Sequence, residues 1–384
     1  MLRNMDNCSK YSQSVFMCND IYRRSTFDKN HPLSIPRVPA TVDLIKQLEW
    51  LPDNVYYESS IASIEELLRF HDADYIEALR QGEKGQRLSK EIRTLYNLGK
   101  IESPIHATMF TRPAISAGAM IAAAEILSSN IADDSRRTIY SPASGNHHGK
   151  KNRASGFCYL NDIVLAILRL LDNGISKIFY IDFDAHHGDG VQDAFYDEEK
   201  VFTLSIHEEG RWPFTGALED RACGSALNLP VPSNFNDNEM DLILDKVVIP
   251  IGQKLKPEII IIQCGADSLA DDPLSKLKLT NYSLWRAVRL SATLSNKVLV
   301  TGGGGYNPWS VARCWAGVWA TLNNYDIPSE LPAGAEMVLR KLKWSRSAGR
   351  NPPEHWFTTL SDTRNNLPIR NKIRNIIKTV NEQC

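Results

Sequence analysis

Five ionisable side chains close one apolar stretch of this chain: Asp182, Asp184, His186, His187 and Asp189 all fall within YIDFDAHHGDGV, Tyr180 to Val191. A core tolerates that density of charge only when the groups are paired or hold a cation. Alternation along an extended segment turns Asp182, Asp184 and His186 to one side, so that carboxylate and imidazole can converge. Asp with His is a borderline ligand set that suits Zn²⁺; the competing reading is a structural ion-pair network at a strand end. A second apolar run, EIIIIQCGADSLADDPL, ends at Asp267 just after Gly265. Side by side with the first, it supplies a third ligand and leaves a fourth position for water, as catalytic zinc requires. Taken alone, an Asp in that place is more often a helix N-cap.

Two further segments carry chemistry. GNHHGKKNRASGFCYLND, Gly145 to Asp162, places His147 and His148 beside a glycine turn. Adjacent imidazoles can transfer protons at neutral pH once something fixes their tautomers. Asp182 and Asp189 are candidates for accepting a ring N–H each. In VTGGGGYNPW four glycines precede Tyr306 without the G-K-[ST] ending of a phosphate loop, which argues against nucleotide binding. Glycines there either let the backbone approach a ligand and aim the phenol inward, or form a tight structural turn.

These residues need a scaffold that gathers strand ends. Short, β-branched, apolar runs recur at Ser14–Cys18, Thr138–Ser141, Lys177–Phe183, Val201–Ile206, Glu258–Gln263 and Lys297–Thr301, and read as buried parallel strands. Helical patterns lie between them, at Pro113–Ser129, Asn161–Asn173, Asp237–Lys254 and Asn281–Ser295. The alternation predicts a doubly wound α/β fold with helices on both faces, and ligands beyond the carboxyl ends of the strands. No repeat or long linker divides the 384 residues, so a single domain over 1–384 is expected. Ile369, Ile373, Ile376, Ile377 and Val380 form one helical stripe near the end, which predicts a helix docked on the body within an extension at about 354–384.

Composition excludes several classes. With 43% hydrophobic and 23% charged residues the chain can bury a substantial core. Forty-four Lys and Arg against 45 Asp and Glu leave a net charge of −1, so no global field points to nucleic acid or a membrane. The seven cysteines show no C-x-x-C spacing and suit a reducing compartment; Cys158 and Cys264 read as packing residues. The N-terminal MLRNMDNCSKYSQ is too polar for a secretory signal, and no run reaches a membrane span, so a cytoplasmic address is expected.

HPLSIPR (His31 to Arg37), GNHHGKKNRASGFCYLND, YIDFDAHHGDGV, QCGADSLADDPL and VTGGGGYNPW, in this order, together resemble the zinc-dependent histone deacetylase superfamily. The closest flavour is the bacterial acetoin-utilisation type, related to acetylpolyamine amidohydrolases. The likeness runs from about Val15 to about Asn324. It implies an arginase-like fold around a parallel sheet of about eight strands. It also implies one catalytic zinc on Asp184, His186 and Asp267, with His147 paired to Asp182, His148 to Asp189, and Tyr306 as oxyanion donor.

On that resemblance, zinc polarises an amide carbonyl and acidifies water. His148 relays the proton, His147 gives electrostatic support, and Tyr306 steadies the oxyanion. Gly156, Phe157 and Trp212 would wall a substrate tunnel, with Gly304, Glu102 and Leu274 also at the substrate. Trp212 stands where relatives often have Phe, and Glu102 where they usually carry Asp. Arg37 would line an exit channel for the acid product. A potassium ion near Asp182, Asp184, His186 and Ser205 is carried over from the same relatives. Leu274 can be acidic in polyamine-selective relatives, so its apolar character tilts the expected substrate to acyl-lysine in a protein or peptide. An acetylpolyamine or other small amide is the alternative, and an inactive acyl-binding relative a weaker one. The single-zinc ligand set and Tyr306 disfavour a two-metal, arginase-like ureohydrolase.

Overall fold

Each of the six apolar runs becomes a strand in the computed structural model, which describes residues 14–24, 26–129 and 136–383. They are β1 (Val15–Cys18), β3 (Arg137–Ser141), β4 (Ile178–Asp182), β5 (Val201–Glu208), β7 (Ile259–Gln263) and β8 (Lys297–Thr301). Two more complete the sheet, β2 (Tyr56–Glu58) and β6 (Ala226–Val231). The order is β2-β1-β3-β8-β7-β4-β5-β6, and every pairing is parallel. The polar segment 1–13, read above as carrying no signal, lies outside the described residues.

Both added strands are edges, which explains why their sequences hide them. YYE is three residues long and partly exposed. ALNLPV carries Asn228 and Pro230, and a proline is tolerated where no neighbour awaits its missing N–H. The inner strands are buried on both faces, with β4 and β7 covered along their whole length. Only a sheet sandwiched between helices buries such runs. One layer packs the helices Arg37–Gln47, Asn281–Ser291 and Pro308–Asn323; the other packs Thr111–Ser128 against Asp162–Asp172.

The expected helix Asp237–Lys254 is continuous but not regular. It runs as an α-helix over Asp237–Ile243, a π-turn over Leu244–Val248 and an α-helix again over Ile249–Leu255. Pro250 has no N–H for the preceding turn, and a wider turn ahead of it accommodates the loss. Against this helix docks Asn371–Gln383, with Ile373 and Val380 fully buried.

Candidate functional site

Strand register brings the motifs together. Ser141 pairs with Thr301, Thr301 with Gln263, and Gln263 with Asp182, so β3, β8, β7 and β4 end side by side. The loops that leave them carry His147 and His148, Tyr306, Asp267, and Asp184 with His186. Strand β4 stops at Asp182, and from there the chain curls instead of alternating. Asp184 N–H donates to Asp182 Oδ1 at 3.0 Å, and His186 N–H to Asp184 Oδ1 at 3.0 Å. The expected convergence is real, but a turn around the carboxylates produces it, because backbone N–H groups beyond the sheet need acceptors.

Asp184, His186 and Asp267 offer ligand atoms that all lie within 4.8 Å of one another. His186 Nδ1 stands 2.9 Å from Asp267 Oδ2 and 3.2 Å from Asp184 Oδ1. Burial raises Asp267, and the Asp184 charge raises it further. Burial would raise Asp184 as well, but His147 and His186 outweigh it and hold its carboxyl well below the usual range. Burial pulls His186 down, yet its contacts with Asp184 and Asp267 carry it up to about 10. Two buried carboxylates thus draw positive charge to one point, and a divalent cation would answer the same demand. The donor set fits zinc.

The glycine loop is shaped to this cluster. Gly304 N–H donates to Asp184 Oδ2 at 2.7 Å, and a Cβ on Gly304 would lie 2.0 Å from Asp267 Oδ2. Close approach to the carboxylates, and not only a turn, requires the glycine. Asp267 Oδ1 accepts the Ala185 N–H at 2.9 Å, so this Asp reaches across to the neighbouring loop instead of capping its own short helix.

His147 Nδ1 lies 2.8 Å from Asp182 Oδ2, and His148 Nδ1 lies 2.6 Å from Asp189 Oδ1. The two imidazoles sit 3.8 Å apart, and their pKa values are shifted in opposite directions. Burial lowers His147, but Asp182 and Asp184 prevail and set it at about 9. Burial, then the His147 charge, push His148 down to about 3. A neutral His148 that gives its Nδ1–H to Asp189 leaves Nε2 free as a base.

Tyr306 and Phe157 rings stand 5.7 Å apart, and both line a cavity of about 750 Å³ that also touches His148, His186, Gly156, Trp212, Glu102 and Leu274. Burial and the Asp267 charge push the Tyr306 phenol well above its ordinary value, so it remains a donor. Trp212 closes the wall edge-on to His148 at 4.7 Å. Gly156 has φ +51, and a Cβ there would lie 2.4 Å from the Trp212 ring. Glu102 faces its own chain: Oε1 accepts from Asn97 Nδ2 at 2.8 Å and Oε2 meets Gly156 N at 3.4 Å.

Arg37 lies behind the loop. It donates to the carbonyls of Gly303, at 2.7 Å, and Gly305, at 3.3 Å, and lines a second cavity of about 90 Å³ with Arg112, Tyr22 and Phe157. Ser205 pairs with Asp182 across the strands, but its hydroxyl lies 2.9 Å from His207 Nδ1.

Several participants had no assigned role in the sequence reading. The Tyr180 hydroxyl donates to Asp182 Oδ2 at 2.6 Å, the oxygen that His147 also contacts. Lys150 Nζ lies 2.5 Å from Asp189 Oδ2, opposite His148. Asp162, fully buried, accepts the N–H groups of Gly145 and Asn146 and so anchors the loop before the histidines. Asp272 accepts the Tyr306 N–H at 2.6 Å. All four lie within or beside the quoted motifs; what pointed to them was a polar residue in an otherwise apolar or already crowded segment.

A model of the histone deacetylase domain matches residues 31–322. The chain is 34% identical over 355 residues to the acetoin utilization protein AcuC of Bacillus subtilis, covering 89% of each. It is 35% identical over 313 residues to the probable histone deacetylase 1-B of Xenopus laevis and 34% to human histone deacetylase 1, 80% of this chain in both cases. It spans 64% of the length of those two animal relatives. The crystal structure of an HDAC homolog from Aquifex aeolicus superposes with a TM-score of 0.89 at 33% identity, over 96% of this chain and 99% of that one. An HDAC homolog complexed with SAHA superposes at 0.88 and 33% identity, over 95% and 98%. Matched along most of its length in sequence and in fold, this chain belongs to the histone deacetylase family.

Proposed function

We propose that the protein is a zinc-dependent deacylase that hydrolyses the amide of an acyl-lysine side chain in a protein or peptide. One observation carries the reading: the Asp184, His186 and Asp267 ligand cluster borders a cavity that also exposes His148 and Tyr306. Zinc bound there supplies Lewis acidity toward the amide oxygen and a lowered pKa for water.

The chain's own groups supply the rest. His148, its Nδ1–H held by Asp189, takes a proton from water at Nε2 and returns it to the amine as the C–N bond breaks. His147, drawn positive by Asp182 and Asp184, lies beside the developing negative charge, and Tyr306 donates its phenolic hydrogen to it. Phe157 and Trp212 flank the aliphatic part of the substrate and keep water from it. Arg37 holds the glycine loop and turns a cation toward the inner cavity, where an acid product is accommodated. A potassium ion beside Asp182, Asp184, His186 and Ser205 belongs to the same reading; with His207 Nε2 on the Gly216 carbonyl, the Ser205 hydroxyl donates to His207 Nδ1 and keeps its lone pairs for such an ion. A reducing, cytoplasmic setting accords with the free cysteines at 18, 158, 223, 264 and 314. Among the described residues no helix is long and apolar enough to cross a membrane.

The test is turnover by the zinc-loaded protein on acetyl-lysine peptides, longer acyl-lysine peptides and N-acetylputrescine, with SAHA as competitor. Peptide turnover suppressed by SAHA is expected. Preference for N-acetylputrescine would move the reading to small amides, and inertness toward all of them with zinc bound would leave an acyl-binding protein.

A further inference from the structure

The cavity mouth carries five charged residues, Glu102, Glu208, Glu209, Arg211 and Lys276, and they are not equivalent. Glu208 is only 5% exposed and is closed off by Arg211, whose Nη2 lies 3.0 Å from Oε1 and whose Nε meets Oε2. Glu209 is paired with Lys372, which belongs to the docked helix Asn371–Gln383. Glu102 directs both oxygens at Asn97 and Gly156. Those donors are neutral, so Glu102 keeps its charge without a counter-ion; of the two cations in this lining, Lys276 is the one whose ammonium has no partner among the described residues. Its backbone is nevertheless fixed, since its N–H donates to Glu208 Oε2 at 2.8 Å and its carbonyl accepts from Asn234 N–H at 2.7 Å.

We propose that Lys276 and Lys372 together make the mouth selective for an acyl-lysine flanked by an acidic residue, and set it against basic flanks and polyamines. The proposal rests on the deacylase reading above and names its substrate class. Lys276 supplies an unneutralised cation on a rigid rim. Lys372 removes from the mouth the negative charge that Glu209 would otherwise present there. The C-terminal segment is well placed for this task, because Arg370 secures it to the same rim. Its Nη1 donates to the Ser233 carbonyl at 2.8 Å, and its Nε and Nη2 grip the fully buried Glu239 at 2.7 and 2.6 Å. Ser233 lines the cavity too. A rim charge acts on encounter and on KM more than on the chemical step, and salt screens it beyond about 8 Å at physiological ionic strength.

The experiment compares three acetyl-lysine peptides that differ only in a neighbouring Glu, Gln or Lys, together with N-acetylputrescine, on the full-length zinc-loaded protein. In low salt the Glu peptide should exceed the Lys peptide about threefold to fivefold in kcat/KM, carried by KM, as expected for a partly exposed charge pair. The ratio should collapse toward one in high salt. Lys276→Glu should invert the preference, and Lys372→Gln should reduce it while raising the relative rate on N-acetylputrescine. Equal use of the three peptides, or a ratio that Lys276→Glu leaves unmoved while lowering kcat on all of them, overturns the proposal. Failure of every acetyl-lysine peptide would instead remove the deacylase reading, and this inference with it.

Discussion

His148 and Lys150 hold opposite oxygens of one carboxylate: His148 Nδ1 lies 2.6 Å from Asp189 Oδ1 and Lys150 Nζ lies 2.5 Å from Asp189 Oδ2. The lysine fixes the carboxylate, and the carboxylate fixes the ring so that Nε2 faces the cavity. Asp189→Asn removes the charge and weakens the hold on the tautomer. A fall in kcat of about a hundredfold or more is expected, the scale of a misplaced general base. Steady-state kinetics on an acetyl-lysine peptide checks it, and near-normal kcat would remove His148 from the proton-transfer role.

Tyr306→Phe deletes the phenolic donor and keeps the ring against Phe157. Fold and zinc content should persist while kcat falls by roughly 10²–10³, the scale of a lost oxyanion donor. Turnover close to that of the parent protein would exclude the tyrosine from the reaction.

Asp267→Ala takes away one of the three proposed ligands and also the acceptor of the Ala185 N–H. Elemental analysis of the purified variant should find zinc well below the parent's content. If it retains as much zinc as the parent, Asp267 is not a ligand.

Gly156→Ala tests the pocket wall. The new methyl would stand 2.4 Å from Trp212 Cη2 and 2.5 Å from His148 Cδ2, at a φ that side chains avoid. Lower kcat/KM, by about tenfold or more, with zinc retained is the expected outcome, given what a displaced catalytic group costs. An unchanged kcat/KM would mean that this wall does not contact substrate.

Stability should fall on the acid side because of His71. Its Nε2 accepts the Asn161 N–H at 3.1 Å, Nδ1 faces the Lys151 carbonyl at 3.2 Å, and burial lowers it from 6.5 to about 4. Above pH 6.5 neither the folded nor the unfolded state carries the proton. Between 6.5 and about 4 the unfolded chain binds it and the folded one does not, so stability is lost as pH falls through that window. The thermal midpoint should drop there, and His71→Gln should show a shallower slope. Equal slopes in the two proteins would place the acid sensitivity elsewhere.

The strand and helix pattern was largely legible because inner strands such as β7, IIIIQ, are apolar on both faces and belong to no other environment. The edges β2 and β6 were not, since a strand with one neighbour carries a weaker pattern and admits Asn228 and Pro230. The irregular turn at Leu244–Val248 also had a local signal in Pro250, but its geometry depends on the whole helix finding a path past it.

For the site, residue type and order marked side chains that could bind a metal or move protons: Asp184 and His186 just past one strand, the paired histidines, and Asp267 once set beside them; the role of Tyr306 came from the family resemblance. Cost explains that legibility, because buried charge is retained only where something answers it. What only the tertiary structure decided is how those groups are held. Lys150 behind Asp189, Gly304 against Asp184, Arg37 behind the glycine loop and Lys372 on Glu209 join residues from 39 to 266 positions apart in the chain. Such contacts depend on strand order and register, which no local pattern encodes.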